Sequence, residues 1–226
     1  FLLSFASCNR YLDIKPYGQT IPETAEEFSA LLHAQLDEID YGEETVIGNG
    51  STVADLECYA DNLAANLTQY PGGGYIPLYI GENLSAKQTM YMNLYEVIRN
   101  CNIIIGNLEE RDSRLGMDVL GTAYILRGIC YYDLLRNFCQ ACNPDNPGPG
   151  VPLVTEFDME AKPTRSTYAR TVERIEEDLN KAIEYDIQDK IYRFNSDVAK
   201  GYLARLYFWT QQYELAAQYA SELLEK

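Results

Sequence analysis

Apolar residues recur every three or four positions in several stretches of the chain, and each stretch predicts an amphipathic helix. In "AEEFSALLHAQLDEI", residues 25–39, the apolar positions Phe28, Leu31, Leu32, Leu36 and Ile39 share one face. Thr24 and Glu27 stand at capping-box spacing before it. Helical period returns from 87 to 110, with Met90, Leu94, Val97, Cys101, Ile105 and Leu108 on one stripe. From about 117 to 138, Val119, Ala123, Leu126, Cys130 and Leu134 form the next. The pair reads as an antiparallel hairpin joined at "ERDSRLG". A further helix is expected in "RTVERIEEDLNKAIEYDI", carrying Val172, Ile175, Leu179 and Ile183, and a last pair in "SDVAKGYLARLYFWTQQYELAAQYASELLE".

Three stretches break the pattern. Residues 9 to 22, "NRYLDIKPYGQTIP", have no helical period and read as an extended tether. Residues 41 to 86 include "YGEETVIGNG", "QYPGGGYIP" and "YIGEN", an irregular region of the kind that carries ligand-contacting loops. "FCQACNPDNPGPGVP", residues 138–152, joins a Cys-x-x-Cys pair to a proline-rich loop.

The last pair is informative in its spacing. Leu203, Ala204, Tyr207, Tyr213, Ala216, Ala220 and Leu223 match the small and large positions of a tetratricopeptide helix pair. Ala204 and Ala216 allow close helix approach, while Tyr207 and Leu223 fill the space around them. One such repeat cannot bury its own apolar face. The earlier hairpin is its expected neighbour in a short helical solenoid, and a further segment is expected beyond Lys226.

Length and charge narrow the function. A chain of 226 residues with 46% apolar content can fill a real core. With 18 Lys and Arg against 34 Asp and Glu, the net charge is −16, which repels phosphate backbones and argues against nucleic-acid binding. No apolar run reaches 18 residues, so no membrane-spanning helix is predicted. The start, "FLLSFASCNR", reads instead as the end of a signal peptide followed by a bacterial lipobox, with Cys8 as the acylated residue. Phe5 stands where leucine is usual.

Catalytic machinery is not apparent. The single histidine, His33, lies off the helix stripe and reads as a surface residue, and it excludes His-based metal clusters. The carboxylate pairs Glu26/Glu27, Glu109/Glu110 and Glu176/Glu177 fall in charged helical segments and read as solvated faces. "YPGGGY" follows no strand and precedes no helix, so it is no phosphate loop. No enzyme activity, cofactor or metal is predicted. Asn-x-Ser/Thr sequons at Asn49, Asn66 and Asn83 are discounted, because such short motifs arise by chance and the lipobox points to bacteria.

Tyrosine is over-used, at 19 against 7 Phe and 1 Trp. Its apolar face and polar tip suit either sugar-binding surfaces or helix interfaces with hydroxyls reaching water. In the irregular stretch, Tyr70, Tyr75 and Tyr79 are candidate stacking platforms, with Asp61, Asn62 and Asn66 as partners for sugar hydroxyls. The alternative is that these tyrosines pin the loop to the helices.

The Cys-x-x-Cys is not expected to be a redox centre. Cys139 and Cys142 follow the C-terminal end of a helix, where the dipole raises a thiol pKa. Cys101 and Cys130 lie on core stripes and Cys58 is distant, so a four-ligand zinc site is not assembled. A local disulfide or two free thiols closing a helix end both fit. Asn143, Asp145 and Asn146 read as turn residues in preference to calcium ligands.

Several landmarks coincide in order: the lipobox-like cysteine followed by "YLDIKP", then "LYEVIRNCN", "AYILRGICYYDLLRNF" leading to "GVPLV", "TRSTYARTVERIEEDLNKAI" and "RFNSDVAKGYLARLYFWTQQYELAAQYASELL". In that order they resemble the N-terminal half of the SusD/RagB family, nutrient-binding surface lipoproteins of Bacteroidetes. Gly128 stands where the family has alanine. The resemblance implies an all-α fold of tetratricopeptide-like hairpins in a right-handed superhelix with long irregular loops. It also implies an outer-membrane lipoprotein anchored by lipid at Cys8 and facing the medium. Its implied partners are a SusC-like TonB-dependent transporter and a glycan, oligosaccharide or, in some members, a peptide. The expected layout is a signal remnant at 1–8, a tether at 9–22 and a helical domain at 23–226, incomplete at its C-terminus, with the tetratricopeptide-like pair at about 195–225. The alternative is a tetratricopeptide-type scaffold that binds proteins and no sugar.

Overall fold

The structure is a computed structural model that describes residues 22–40, 88–158, 160–188 and 194–225. Cys8, the tether up to Ile21, and the irregular stretch holding Asp61, Asn62, Asn66, Tyr70, Tyr75 and Tyr79 lie outside the described residues. The described elements are α1 (Ala25–Asp40), α2 (Gln88–Asn107), α3 (Arg114–Phe138), β1 (Pro149–Pro152), β2 (Arg165–Thr167), α4 (Tyr168–Tyr185), α5 (Ser196–Trp209) and α6 (Tyr213–Leu224).

Capping side chains mark where α1, α3, α4 and α5 begin. At α1 the box is formed both ways: the Glu27 amide donates to Thr24 Oγ1 at 3.3 Å, and the Thr24 amide donates to Glu27 Oε2 at 3.2 Å. Phe28 and Leu32 below it are buried, and the side chain of Ile39 lies outside the described ones. α3 starts at Arg114, earlier than the apolar period suggests, because the Ser113 hydroxyl accepts from the Gly116 amide at 2.9 Å. Thr167 caps α4 and Asn195 caps α5 by the same device.

α3 is the centre of the fold. Val119, Ala123, Leu126, Cys130 and Leu134 are buried as the stripe predicts, but so are Leu120, Ile125, Ile129, Tyr131 and Leu135. In all, 18 of its 25 residues are hidden, because α1, α2, α4 and α5 pack around it. Each fully buried Leu or Ile there contributes roughly 1.5–3 kcal/mol. Gly128 lies on the α4 side, where an added Cβ would sit 3.0 Å from Leu179 Cδ2.

A polar hub holds the helices and the following loop in one register. Arg127 donates from Nε and Nη2 to the two oxygens of Asp178 at 2.8 and 2.7 Å, with both side chains 3% exposed or less. Its Nη1 donates to Asn102 Oδ1 at 2.7 Å, and Arg174 adds a second cation on Asp178 at 2.6 Å. Asn102 Nδ2 then donates to the Val154 carbonyl at 2.8 Å, which also accepts from the Tyr131 hydroxyl at 2.7 Å. Tyr95 donates to the Pro152 carbonyl at 2.7 Å. Burial dominates the upward displacement of the Tyr95 and Tyr131 phenol pKa values. α2, α3 and α4 are thereby tied to residues 152–155.

The stretch "PGVP" forms a short antiparallel ribbon with β2, an addition to the otherwise all-α fold that helical periodicity does not reveal. Prolines at Pro149 and Pro152 cannot donate to a ladder, so side chains complete it. Ser166 Oγ donates to the Val151 carbonyl at 2.8 Å, and Arg165 Nε donates to the Gly150 carbonyl at 2.7 Å. A Cβ on Gly150 would collide with Thr171 Oγ1 and the Thr167 carbonyl, which fixes glycine there.

Candidate functional site

Much of α6 is exposed among the described residues. Leu203, Leu206, Tyr207 and Ala216 are buried between α5 and its neighbours, yet Ala216 is the only buried residue of α6. Tyr213, placed by its spacing among the packing positions, is instead 54% exposed, and Phe208 is 66% exposed. The Gln211 backbone, with φ of 64°, makes the tight turn between the two helices.

Between α3, α5 and α6 lies a groove of about 660 Å³, within the size range of small-ligand sites. Ala204, Ala216, Ala217 and Ala220 form its small-residue floor. Its wall is an aromatic and guanidinium ladder. Arg205 stands 5.0 Å from the Tyr202 ring centre and 5.4 Å from that of Tyr132. Arg136 stands 5.6 Å from Tyr132 and 5.8 Å from Trp209. Phe208 and Tyr213 meet edge to face at 5.7 Å on the rim. Neither Arg136 nor Arg205 has a carboxylate partner among the described residues. Flat apolar faces beside N–H donors are what a ligand with rings and acceptor oxygens requires.

A second cleft of about 220 Å³ lies against Tyr95, Arg99, Val154, Glu156, Phe157 and Asp158. It is smaller than ordinary ligand sites, and Arg99 is already paired with Glu96 at 2.9 Å.

The remaining sequence candidates fall into place. Cys139 and Cys142 are half-buried free thiols at the α3 terminus. Burial pushes the Cys139 thiol pKa up against the opposing pull of Arg165, whose Nη2 lies 3.8 Å from Sγ. Gln211 donates to the Cys142 carbonyl at 3.0 Å, so the loop is fastened to the α5–α6 turn. Asn143 accepts from the Asp145 amide at 3.1 Å, a turn as expected, and no group of three or more metal-ligating side chains occurs among the described residues. His33 is half-buried on α1, more enclosed than its off-stripe position suggests. Glu177 pairs with Arg170 at 2.8 Å, whereas Glu176 is partly enclosed beside Tyr207 and burial raises its pKa. The described tyrosines largely serve packing: Tyr91–Tyr95, Tyr124–Tyr185 and Tyr207–Tyr219 are paired rings. Sequence reasoning missed Arg136 and Arg205; their signal was a cation beside aromatics at helical spacing in "YYDLLRNF" and "YLARLYFW".

Helical hairpins packed around α3 define a helical scaffold. The family model described as "starch-binding associating with outer membrane" matches residues 10–208. The chain belongs to the SusD-like family. Its fold is similar to a SusD superfamily protein from Bacteroides thetaiotaomicron, at 23% identity and TM-score 0.69 over 90% of this chain and 46% of that one. It is similar to a SusD-like carbohydrate binding protein from Bacteroides vulgatus, at 18% identity and TM-score 0.68 over 90% and 45%. A laminarin binding SusD-like protein matches at 22% identity and TM-score 0.64 over 89% and 44%. The chain therefore spans less than half the length of these relatives. No curated protein matches its sequence.

Proposed function

We propose that this chain belongs to a cell-surface lipoprotein that captures a glycan or oligosaccharide and delivers it to a SusC-like TonB-dependent transporter in the outer membrane. The observation that carries the reading is the starch-binding, outer-membrane-associated family match over residues 10–208. Similarity to a protein named for laminarin binding adds support for a glycan as the ligand. In this reading Cys8 bears the lipid, residues 9–22 are the tether and residues 23–226 carry the helical scaffold. Among the described residues no helix is long and apolar enough to cross a membrane. Tyr70, Tyr75 and Tyr79 supply stacking faces, and Asp61, Asn62 and Asn66 bind sugar hydroxyls. The protein acts by binding and release and needs no cofactor.

Native electrophoresis through gels cast with a panel of neutral and acidic polysaccharides tests the reading. Retardation by at least one glycan is expected. Free migration through every gel, with binding to peptides alone, would favour the protein-binding scaffold instead.

A further inference from the structure

We propose that Cys139 and Cys142 close into a reversible disulfide that straps the end of α3 to the loop fastened on the α5–α6 turn. The proposal rests on the cell-surface reading above only for the oxidising surroundings in which such bonds persist.

Placement is the first argument. Cys139 caps the C-terminus of α3 and Cys142 follows three residues on, both half-buried free thiols packed against the core. Tyr168 is 4% exposed, and its hydroxyl makes no well-formed hydrogen bond. Its polar neighbours are the Cys142 thiol, the Cys139 thiol and the Trp209 indole. Both sulfurs therefore border one buried group, in surroundings that suit a neutral, apolar disulfide. Cys101 and Cys130 are buried on the helix stripes and do not compete for either partner.

Chemistry is the second argument. Cysteine pairs that oxidise other proteins hold one thiol at a low pKa, which stabilises their reduced form. Here burial pushes the Cys139 thiol up, outweighing the pull of Arg165, so its thiolate gains no such stabilisation and the disulfide is favoured. The bond forms by two exchanges with a small disulfide such as oxidised glutathione. One cysteine thiolate attacks it, giving a mixed disulfide and releasing one glutathione thiolate. The second cysteine thiolate attacks the protein sulfur of that mixed disulfide, and the second glutathione leaves. Two protein thiols are oxidised, one glutathione disulfide is reduced, and the two protons pass to the released glutathione.

The loop's anchors define what the bond does. Arg165 Nη2 donates to the Phe138 carbonyl at 3.0 Å, and Gln211 Nε2 donates to the Cys142 carbonyl at 3.0 Å. Joining Cys139 to Cys142 links these two anchors covalently, with α3 and β2 on one side and the α5–α6 turn on the other.

The test starts from the fully reduced protein and adds oxidised glutathione. Tandem mass spectrometry is expected to map a Cys139–Cys142 bond with no lasting glutathione adduct, and dithiothreitol should restore both thiols. Trp209, the single tryptophan, reads the same step, since a nearby disulfide quenches indole emission. Its emission should fall on oxidation and recover on reduction. C139S/C142S should keep the native circular dichroism and lose that response. C139S alone, which should stop at a glutathione adduct on Cys142, serves if the double variant misfolds. Two free thiols, a stable glutathione adduct in the wild type, or a bond mapped from either residue to another cysteine would overturn the proposal. Closure in glutathione with free thiols in protein taken from the cell envelope would support the pair and count against the cell-surface reading. Closure in protein that binds no glycan would support the pair and sink the glycan reading alone.

Discussion

Replacing Asp178 by alanine strikes the hub at its most dependent point. The Asp178 side chain is fully buried and accepts two hydrogen bonds from Arg127 and one from Arg174. Its loss strands the Arg127 guanidinium, 3% exposed, with only Asn102 and the Thr155 carbonyl as acceptors. Removing one partner of a buried pair costs about 3–5 kcal/mol, a large part of the roughly 5–15 kcal/mol that holds a domain together. The converse change, Arg127→Met, is milder. Asp178 keeps Arg174 at 2.6 Å, and the methionine stem retains most of the packing, so about 2 kcal/mol is expected. Urea unfolding followed by circular dichroism and Trp209 fluorescence reads both values as midpoint shifts. A loss below 1 kcal/mol for D178A, or a larger loss for R127M than for D178A, would refute the reasoning.

Three further outcomes are expected. Because burial raises the folded-state pKa of Glu176, its charged form destabilises the fold above that pKa and the effect vanishes below the unfolded value. Glu176→Gln should therefore raise the melting temperature at pH 7 and leave it unchanged near pH 3. Gly150→Ala forces its Cβ against Thr171 and Thr167 and should cost about 1–3 kcal/mol in urea unfolding, whereas exposed Gly106, with open space at its Cβ, should tolerate alanine. Cys101, whose thiol is pushed up to about 12 by burial, and fully buried Cys130 should react with a thiol reagent only after unfolding. Cys139 and Cys142, half-buried, should react in the native state.

Helix content and partner order were legible because period and cap chemistry agreed, as at Thr24 with Glu27 and along the Val119 to Leu134 stripe. The enclosure of α3 was not, since a helix surrounded by four others has no polar face to mark its limits, and a one-dimensional stripe understates it. Arg127, Asp178 and Asn102 looked like ordinary charged and polar positions on separate helices. Their union is a tertiary fact with no local signature beyond a lone cation in "AYILRGIC". The groove is similar: Arg136 and Arg205 lie on different helices, and only the packing of α3 against α5 brings both close to the Tyr132 ring. The ribbon at Pro149–Pro152 escaped because proline-rich strands are completed by side chains, here Ser166 and Arg165.

The central claim, glycan capture, is tested most directly by isothermal titration of the chain with whichever polysaccharide fragment retards it most in native gels. Saturable binding with a negative heat-capacity change, the mark of rings stacked on aromatic faces, is the predicted result. No saturable heat with any glycan at millimolar concentration, in protein whose circular dichroism confirms the helical fold, would contradict it.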